Sequence, residues 1–218
     1  MSLSERWFRT NPDSSTLDRP RLLARSLISV TDLDDHAAYY ERLLGVPADL
    51  RMPIPDFGGL ELIAVGGLLL IASERPFTPM QKLTAYSLIV PSLDDRLERL
   101  RRGGATVLEP RETIVPGSRA RVQYRDGAVA ELVEHRPQPG ERPARRPGGT
   151  AGVPPATGVR LLARRAIPYK DFDFAIAHYE SVLECQVEAH AKPCSPGVVE
   201  LAIVGNLLLV GMDEGGTG

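Results

Sequence analysis

The feature that most constrains the fold of this chain is an internal repeat. The segment that begins at Arg21 aligns without gaps on the segment that begins at Arg160, and 20 of 52 aligned residues are identical. A weaker copy of the same pattern lies between them, from Leu83 to His135. Self-similarity of this kind indicates a duplicated structural unit. The sequence therefore predicts three modules, which span about 20–76, 80–136 and 158–213.

Each module repeats one order of predicted elements. In the first module, a strand candidate at 23–30 precedes a stretch with helical spacing of apolar residues, and three further strand candidates follow. The last two strands of each module are separated by Gly-Gly, Asp-Gly or Gly-Asn, at positions 66–67, 126–127 and 205–206. These dipeptides are typical of hairpins with two-residue loops. The pattern predicts an α+β unit of order βαβββ, whose helix covers one face of its sheet.

Two consecutive units of this kind can pair so that their sheets close into a curved, cup-shaped sheet. We therefore predict one full domain plus a half domain. The boundaries are an N-terminal extension at 1–19, a two-module domain at 20–136, a linker at 137–157 and a single module at 158–218. The linker is predicted because the stretch 136–157 holds six Pro and four Gly residues, which favour an extended chain.

Three stretches of the first two modules occur in a characteristic order: SVTDLDDHAAYYERLLG, IVPSLDDRLERLRRGGATVLEP and YRDGAVAELVE. With them, residues 20–136 resemble a complete domain of the vicinal oxygen chelate superfamily, which includes glyoxalases, bleomycin-resistance proteins and extradiol dioxygenases. The third module resembles the first half of a second such domain. The resemblance implies a small-molecule site inside the cup, but the superfamily hosts many chemistries.

The resemblance also implies positions for a metal, because enzymes of this superfamily typically hold a divalent ion in the cup. His usually supplies the ligand on the first strand of each module, and Glu usually supplies it on the last. The matching positions, in module order, are Arg25, Ala85 and Arg164 on the first strands and Ile71, Glu131 and Val210 on the last strands. Only Glu131 fits, and a catalytic dication needs about three protein ligands. We therefore expect no cofactor, with a divalent metal as the alternative.

Strand alternation predicts which side chains face the cup. The candidate ligand-binding residues are Arg25, Leu27, Ser29, Leu62, Ile71, Val122, Tyr124 and Glu131. This set describes a mostly apolar pocket with few polar groups, typical of a site for an organic ligand. The alternative is that large side chains fill the cup. Because a buried carboxylate is costly without a partner, we predict an Arg25–Glu131 ion pair or a ligand that bridges them. Otherwise Arg25 reaches solvent.

Three functions are compatible with these residues. The first is a metal-free protein of the bleomycin-resistance type, which binds a small hydrophobic or aromatic molecule. The second is a lyase, isomerase or dioxygenase-type enzyme of the same superfamily, with Glu131 as catalytic base or metal ligand. The third is a structural or regulatory protein whose cups are filled. The missing metal ligands and the apolar cup favour the first.

Charge and cysteine content limit the partners and the compartment. With 26 basic and 28 acidic residues, the net charge of −2 gives no electrostatic reason to expect a nucleic acid or a membrane surface as partner. Two cysteines cannot form a disulfide framework, so we expect a cytoplasmic protein. In the third module, Leu201, Ile203, Leu208 and Val210 predict an apolar sheet face. We expect this face to pair with the same face of a second chain, which gives a homodimer. The alternative is that the chain is part of a longer protein.

Overall fold

Three βαβββ modules follow one another in the computed structural model, which describes residues 7–8, 13–54, 59–114, 117–136 and 158–213. The N-terminal strand and the first module comprise β1 (Trp7–Phe8), β2 (Arg21–Ser29), α1 (Leu33–Leu44), β3 (Ala48–Ile54), β4 (Leu60–Val65) and β5 (Leu68–Ser73). Helix α2 (Pro79–Leu83) leads to the second module: β6 (Thr84–Ile89), α3 (Leu93–Arg102), β7 (Thr106–Ile114), β8 (Gly117–Gln123) and β9 (Val129–His135). The third comprises β10 (Ala163–Pro168), α4 (Phe172–Leu183), β11 (Val187–Ala191), β12 (Val198–Val204) and β13 (Leu207–Met212). The predicted linker at 137–157 lies outside the described residues.

The first two modules share one sheet of nine strands, in the order β1-β3-β4-β5-β2-β6-β9-β8-β7. They join where β2 pairs antiparallel with β6, from Arg21 opposite Ile89 to Ala24 opposite Tyr86. The third module forms a separate four-strand sheet, β10-β13-β12-β11, which repeats the order β2-β5-β4-β3. The predicted α+β class, with paired βαβββ modules in a curved sheet, is confirmed.

Each helix covers one face of its own sheet because its apolar side chains recur at helical spacing. In the first module, Leu33, Ala37 and Leu44 of α1 pack on the strands in a buried cluster. Helix α1 ends at Gly45, which has the left-handed φ of 64° that favours glycine. The other face of these strands, which α1 does not cover, forms part of the concave side of the sheet.

The third module packs its helix side against the second module. One buried cluster contains Leu97 and Leu100 of α3 together with Phe172 and Val182 of α4. This packing leaves the other face of the third sheet uncovered, and the side chains on it are only partly buried: Leu201, Ile203 and Leu208. No helix in the described ranges is long and apolar enough to span a membrane.

Candidate functional site

The concave side of the nine-strand sheet contains a cavity of about 470 Å³. This volume falls in the range of small-molecule sites in proteins. The first module supplies an apolar wall, made of Leu23, Leu50, Met52, Leu62, Leu69 and Ile71. Because these side chains alternate with the helix-facing ones along each strand, the same strands build both the α1 core and the cavity.

The opposite side of the cavity is charged, and Glu131 on β9 is its centre. Arg25 donates from Nη1 to Glu131 Oε2 at 2.9 Å, and the Ser87 hydroxyl donates to the same oxygen at 3.1 Å. On the other oxygen, Arg121 Nη2 donates at 3.1 Å and Arg119 Nη1 at 3.5 Å. We call Arg25, Arg119 and Arg121 the arginine wall.

Two further carboxylates hold the outer ends of this wall. Arg121 is also hydrogen-bonded to Glu109, and Arg119 donates from Nε and Nη2 to Glu112 at 2.9 and 2.8 Å. The side chains of Glu109 and Glu112 are 37% and 50% exposed, whereas that of Glu131 is 14% exposed. Glu131 is therefore the carboxylate that lies deepest among the arginines.

The arginine wall sets the protonation state of Glu131. Burial alone would raise the pKa of this carboxyl group, because it disfavours the charged form. The positive charges of the three arginines and the hydrogen bond from Ser87 outweigh burial, so the pKa of Glu131 lies below its ordinary value. Glu131 is consequently ionised at neutral pH and accepts hydrogen bonds on both oxygens.

The predicted Arg25–Glu131 ion pair is confirmed by the 2.9 Å contact. Arg25, Leu62, Ile71 and Glu131 line the cavity, and their role in ligand binding stays a prediction. Leu27 does not line it, although this side chain packs against the apolar cluster that forms the cavity's apolar wall.

Ser29 is an exposed residue at the end of β2, outside the cavity lining. Its hydroxyl lies 2.8 Å from the Thr31 hydroxyl, in the turn before α1. Ser29 therefore lies beyond the cavity, because β2 ends here and the chain turns toward α1.

The prediction that Val122 and Tyr124 face the cup is wrong. The hairpin between β8 and β9 has a three-residue loop, because Tyr124 N donates to Ala128 O and Gln123 lies opposite Val129. A one-residue change in register moves every side chain of a strand to the other face. Val122 and Tyr124 therefore lie in the core shared with the third module.

The same register places Arg119 and Arg121 in the cavity, and both were missed from the sequence. Arg121 lies directly opposite Glu131 across the β8–β9 pair. The signal was the alternation of Arg119 and Arg121 with the apolar residues Ala120 and Val122. Ser87, Glu109 and Arg75, which also line the cavity, carried no comparable signal.

The cavity residues do not fit the divalent metal that the resemblance implies. In the described part of the chain, no group of three or more His, Cys, Asp or Glu side chains could hold a metal ion. At the position where the first-strand ligand is expected, the Arg25 guanidinium is bonded to the single carboxylate that matches a ligand. A cationic donor in direct contact with Glu131 opposes a second cation there.

No family model matches this chain, and no curated protein matches it. Among solved structures, a variant of 4-hydroxymandelate synthase from Streptomyces coelicolor is 15% identical with a TM-score of 0.54, and the match covers 89% of this chain and 63% of the synthase. The 2,3-dioxygenase LapB from Pseudomonas sp. KL28 is 16% identical with a TM-score of 0.51, over 90% of this chain and 70% of LapB. An uncharacterized protein from Methanosarcina mazei is 31% identical with a TM-score of 0.48, over 54% of this chain and 94% of that protein. The first two matches show a shared fold.

Proposed function

Because the chain has the fold of the vicinal oxygen chelate superfamily, we propose that its first two modules bind a small hydrophobic or aromatic molecule without a metal. The open cavity of about 470 Å³ is the observation that carries this proposal. A cup filled by its own side chains, as a purely structural module would have, leaves no such space.

The cavity favours binding over catalysis by Glu131. A general base works best when its pKa lies near the operating pH. The arginine wall lowers the pKa of Glu131, and both of its oxygens already accept hydrogen bonds. Such a carboxylate is a weak base, so the alternative of a lyase, isomerase or dioxygenase-type enzyme with Glu131 as base or metal ligand is the less favoured proposal.

The test is binding of N-phenyl-1-naphthylamine, an uncharged aromatic molecule whose fluorescence rises in an apolar site. We expect saturable binding that Leu62→Trp weakens by about tenfold or more, because the larger side chain occupies cavity space. The control is Tyr39→Trp, since Tyr39 lies on the exposed surface of α1, outside the cavity lining. Absence of saturable binding, or equal binding by both variants, would contradict the proposal.

Metal dependence is tested on the same protein. We expect purified protein to contain no stoichiometric divalent metal and to bind the probe equally before and after treatment with a chelator. A divalent metal bound in proportion to protein, whose removal abolishes binding, would overturn the metal-free part of the proposal.

A further inference from the structure

We propose that the ligand of this cavity is an amphipathic organic anion, whose acid group contacts the arginine wall while its apolar body lies against the first module. This inference rests on the proposed function and narrows it to one chemical class. Carboxylates, sulfonates and phosphate monoesters share the required chemistry.

The cavity has an apolar part and a charged part, and the charged part is built mostly by the second module, with Arg25 added from β2 of the first. Strands β3, β4 and β5 contribute apolar side chains such as Met52, Leu62 and Ile71. The second module contributes Ser87, Arg119, Arg121 and Glu131. A ligand that is polar at one end and apolar at the other matches both sides, whereas a wholly apolar ligand leaves the charged side without new partners.

The charges that line the cavity favour an anion. Among the described lining residues there are four arginines and two glutamates, and Glu112, which pairs with Arg119 from outside the lining, leaves a local surplus of one positive charge. The side chains of Arg25 and Arg121 are 4% and 6% exposed, while Glu109, which offsets Arg121, is 37% exposed. Charges away from water are screened less than charges near it, so the deep arginines dominate the potential inside the cavity.

The arginine wall has more hydrogen-bond donors than its carboxylates accept. Toward the described residues, Arg25 donates only from Nη1, which serves both Ser87 and Glu131. The Nε atoms of Arg25 and Arg121 are buried and have no acceptor among the described residues. Burial lowers the pKa of Arg25 in spite of the nearby charge of Glu131, so this cation is incompletely compensated.

A ligand acid group would supply the missing acceptors. Carboxylate, sulfonate and phosphate oxygens each accept charge-assisted hydrogen bonds, and the planar guanidinium can donate to two of them at once. The exposed side chain of Arg75 also lines the cavity, has no ion pair within the described residues and adds a further cation to the lining.

A matched pair of probes tests this inference. 8-Anilinonaphthalene-1-sulfonate has the aromatic body of N-phenyl-1-naphthylamine plus a sulfonate, and both fluoresce in apolar sites. We expect the sulfonate to bind at least about tenfold more tightly. Competition on the unaltered chain gives an independent readout: octanoate should displace N-phenyl-1-naphthylamine at lower concentration than 1-octanol does.

The variant Arg119→Gln tests whether the preference for the sulfonate probe comes from the arginine wall. Arg119 is the most exposed of the three arginines, at 18%, so its replacement is the least disruptive to folding. We expect this variant to weaken binding of the sulfonate by about threefold more than it weakens binding of the uncharged probe, because it removes one of the three cations of the wall and leaves the apolar wall in place. Arg164→Gln is the control, because Arg164 is the exposed repeat equivalent of Arg25 and lies outside the cavity lining.

The outcomes separate this inference from the proposed function. If both probes bind with equal affinity, or if Arg119→Gln keeps the full preference, the anion inference is overturned while the binding function stands. If neither probe binds, both the proposed binding function and the anion inference are contradicted. Repeating the competition with 1-naphthaleneacetate and 1-naphthyl phosphate shows whether the wall prefers a carboxylate or a phosphate.

Discussion

The first and third modules are built from the same sequence pattern but use it in opposite ways. Arg25 and Arg164 occupy equivalent positions of the repeat, yet the side chain of Arg25 is 4% exposed and bonded to Glu131, whereas Arg164 is exposed. The difference lies in the neighbouring strand. Strand β2 pairs with β6 of the second module, while β10 pairs with β13 alone within the described residues. The repeat thus specifies a strand and its side-chain directions, whereas the adjacent module determines whether a residue on that strand is buried and which partners it binds.

The helix sides of the two modules show the reverse pattern. Tyr179 on α4 is fully buried and donates to Asp126 of the second module at 2.7 Å, whereas its equivalent Tyr40 is only partly buried. Gly45 ends α1, but Glu184 ends α4 in the same left-handed conformation, at φ 52°. The side chain of Glu184 explains why a residue other than glycine is kept there: it accepts hydrogen bonds from Arg96 and Arg99 of α3, each at 2.7 Å.

The largest effect we expect concerns the third module: the protein in solution should have twice the mass of a single chain. We propose that a second copy covers the open face of the third module, by antiparallel pairing of the two β10 strands as β2 pairs with β6. Leu208→Asp on this face should convert the dimer to a monomer in light scattering, whereas Tyr39→Asp on the exposed surface of α1 should not. A monomeric parent protein would rule out this use of the third module.

The next effect concerns the two equivalent arginines. Arg25→Ala leaves the charge of Glu131 with Arg121, Arg119 and Ser87 as partners, and we expect it to lower the free energy of unfolding by about 1.5–3 kcal/mol. In the monomeric Leu208→Asp background, Arg164→Ala removes an exposed side chain and should cost less than about 0.5 kcal/mol. Denaturant unfolding of both variants gives the comparison. Equal losses would mean that the neighbouring module does not determine the role of this position.

A smaller effect should separate the two equivalent tyrosines. Tyr179→Phe removes a hydroxyl that bonds to Asp126 and accepts from Tyr86 at 3.2 Å, so we expect a loss of about 1–2 kcal/mol in unfolding free energy. Tyr40→Phe should change stability by less than about 0.5 kcal/mol. If thermal unfolding shows the two variants to be alike, the tyrosine contacts do not hold the third module in place.

The smallest effect is on the pH dependence of stability. The folded pKa of Glu131 lies below its unfolded value, so its ionisation contributes stability that is complete above the unfolded pKa and lost as pH falls through the folded one. Glu131→Gln should therefore have a flatter loss of stability on acidification below about pH 4.5. Parallel curves for the two proteins would indicate that the arginine wall does not favour the ionised form.

The sequence predicted local geometry better than contacts between modules. The two-residue loops at 66–67 and 205–206 are confirmed by Val65 opposite Leu68 and Val204 opposite Leu207. The third hairpin was mispredicted because Asp-Gly suits a three-residue loop as well as a two-residue one. Contacts such as Tyr179 with Asp126 depend on residues 53 positions apart that only tertiary packing brings together, and no periodicity signals them.

The three-residue loop Arg125–Gly127 connects both comparisons. Its extra residue turns Arg119 and Arg121 into the cavity, and its tip carries Asp126, which accepts from Tyr179 and from Arg165 Nε at 3.2 Å. Deletion of Asp126 would shorten this hairpin to a two-residue loop, which favours turning Val122 and Tyr124 toward the cavity, and it would remove the acceptor of Tyr179 and Arg165 in the same event. The same loop therefore links the charge of the cavity to one contact that attaches the third module.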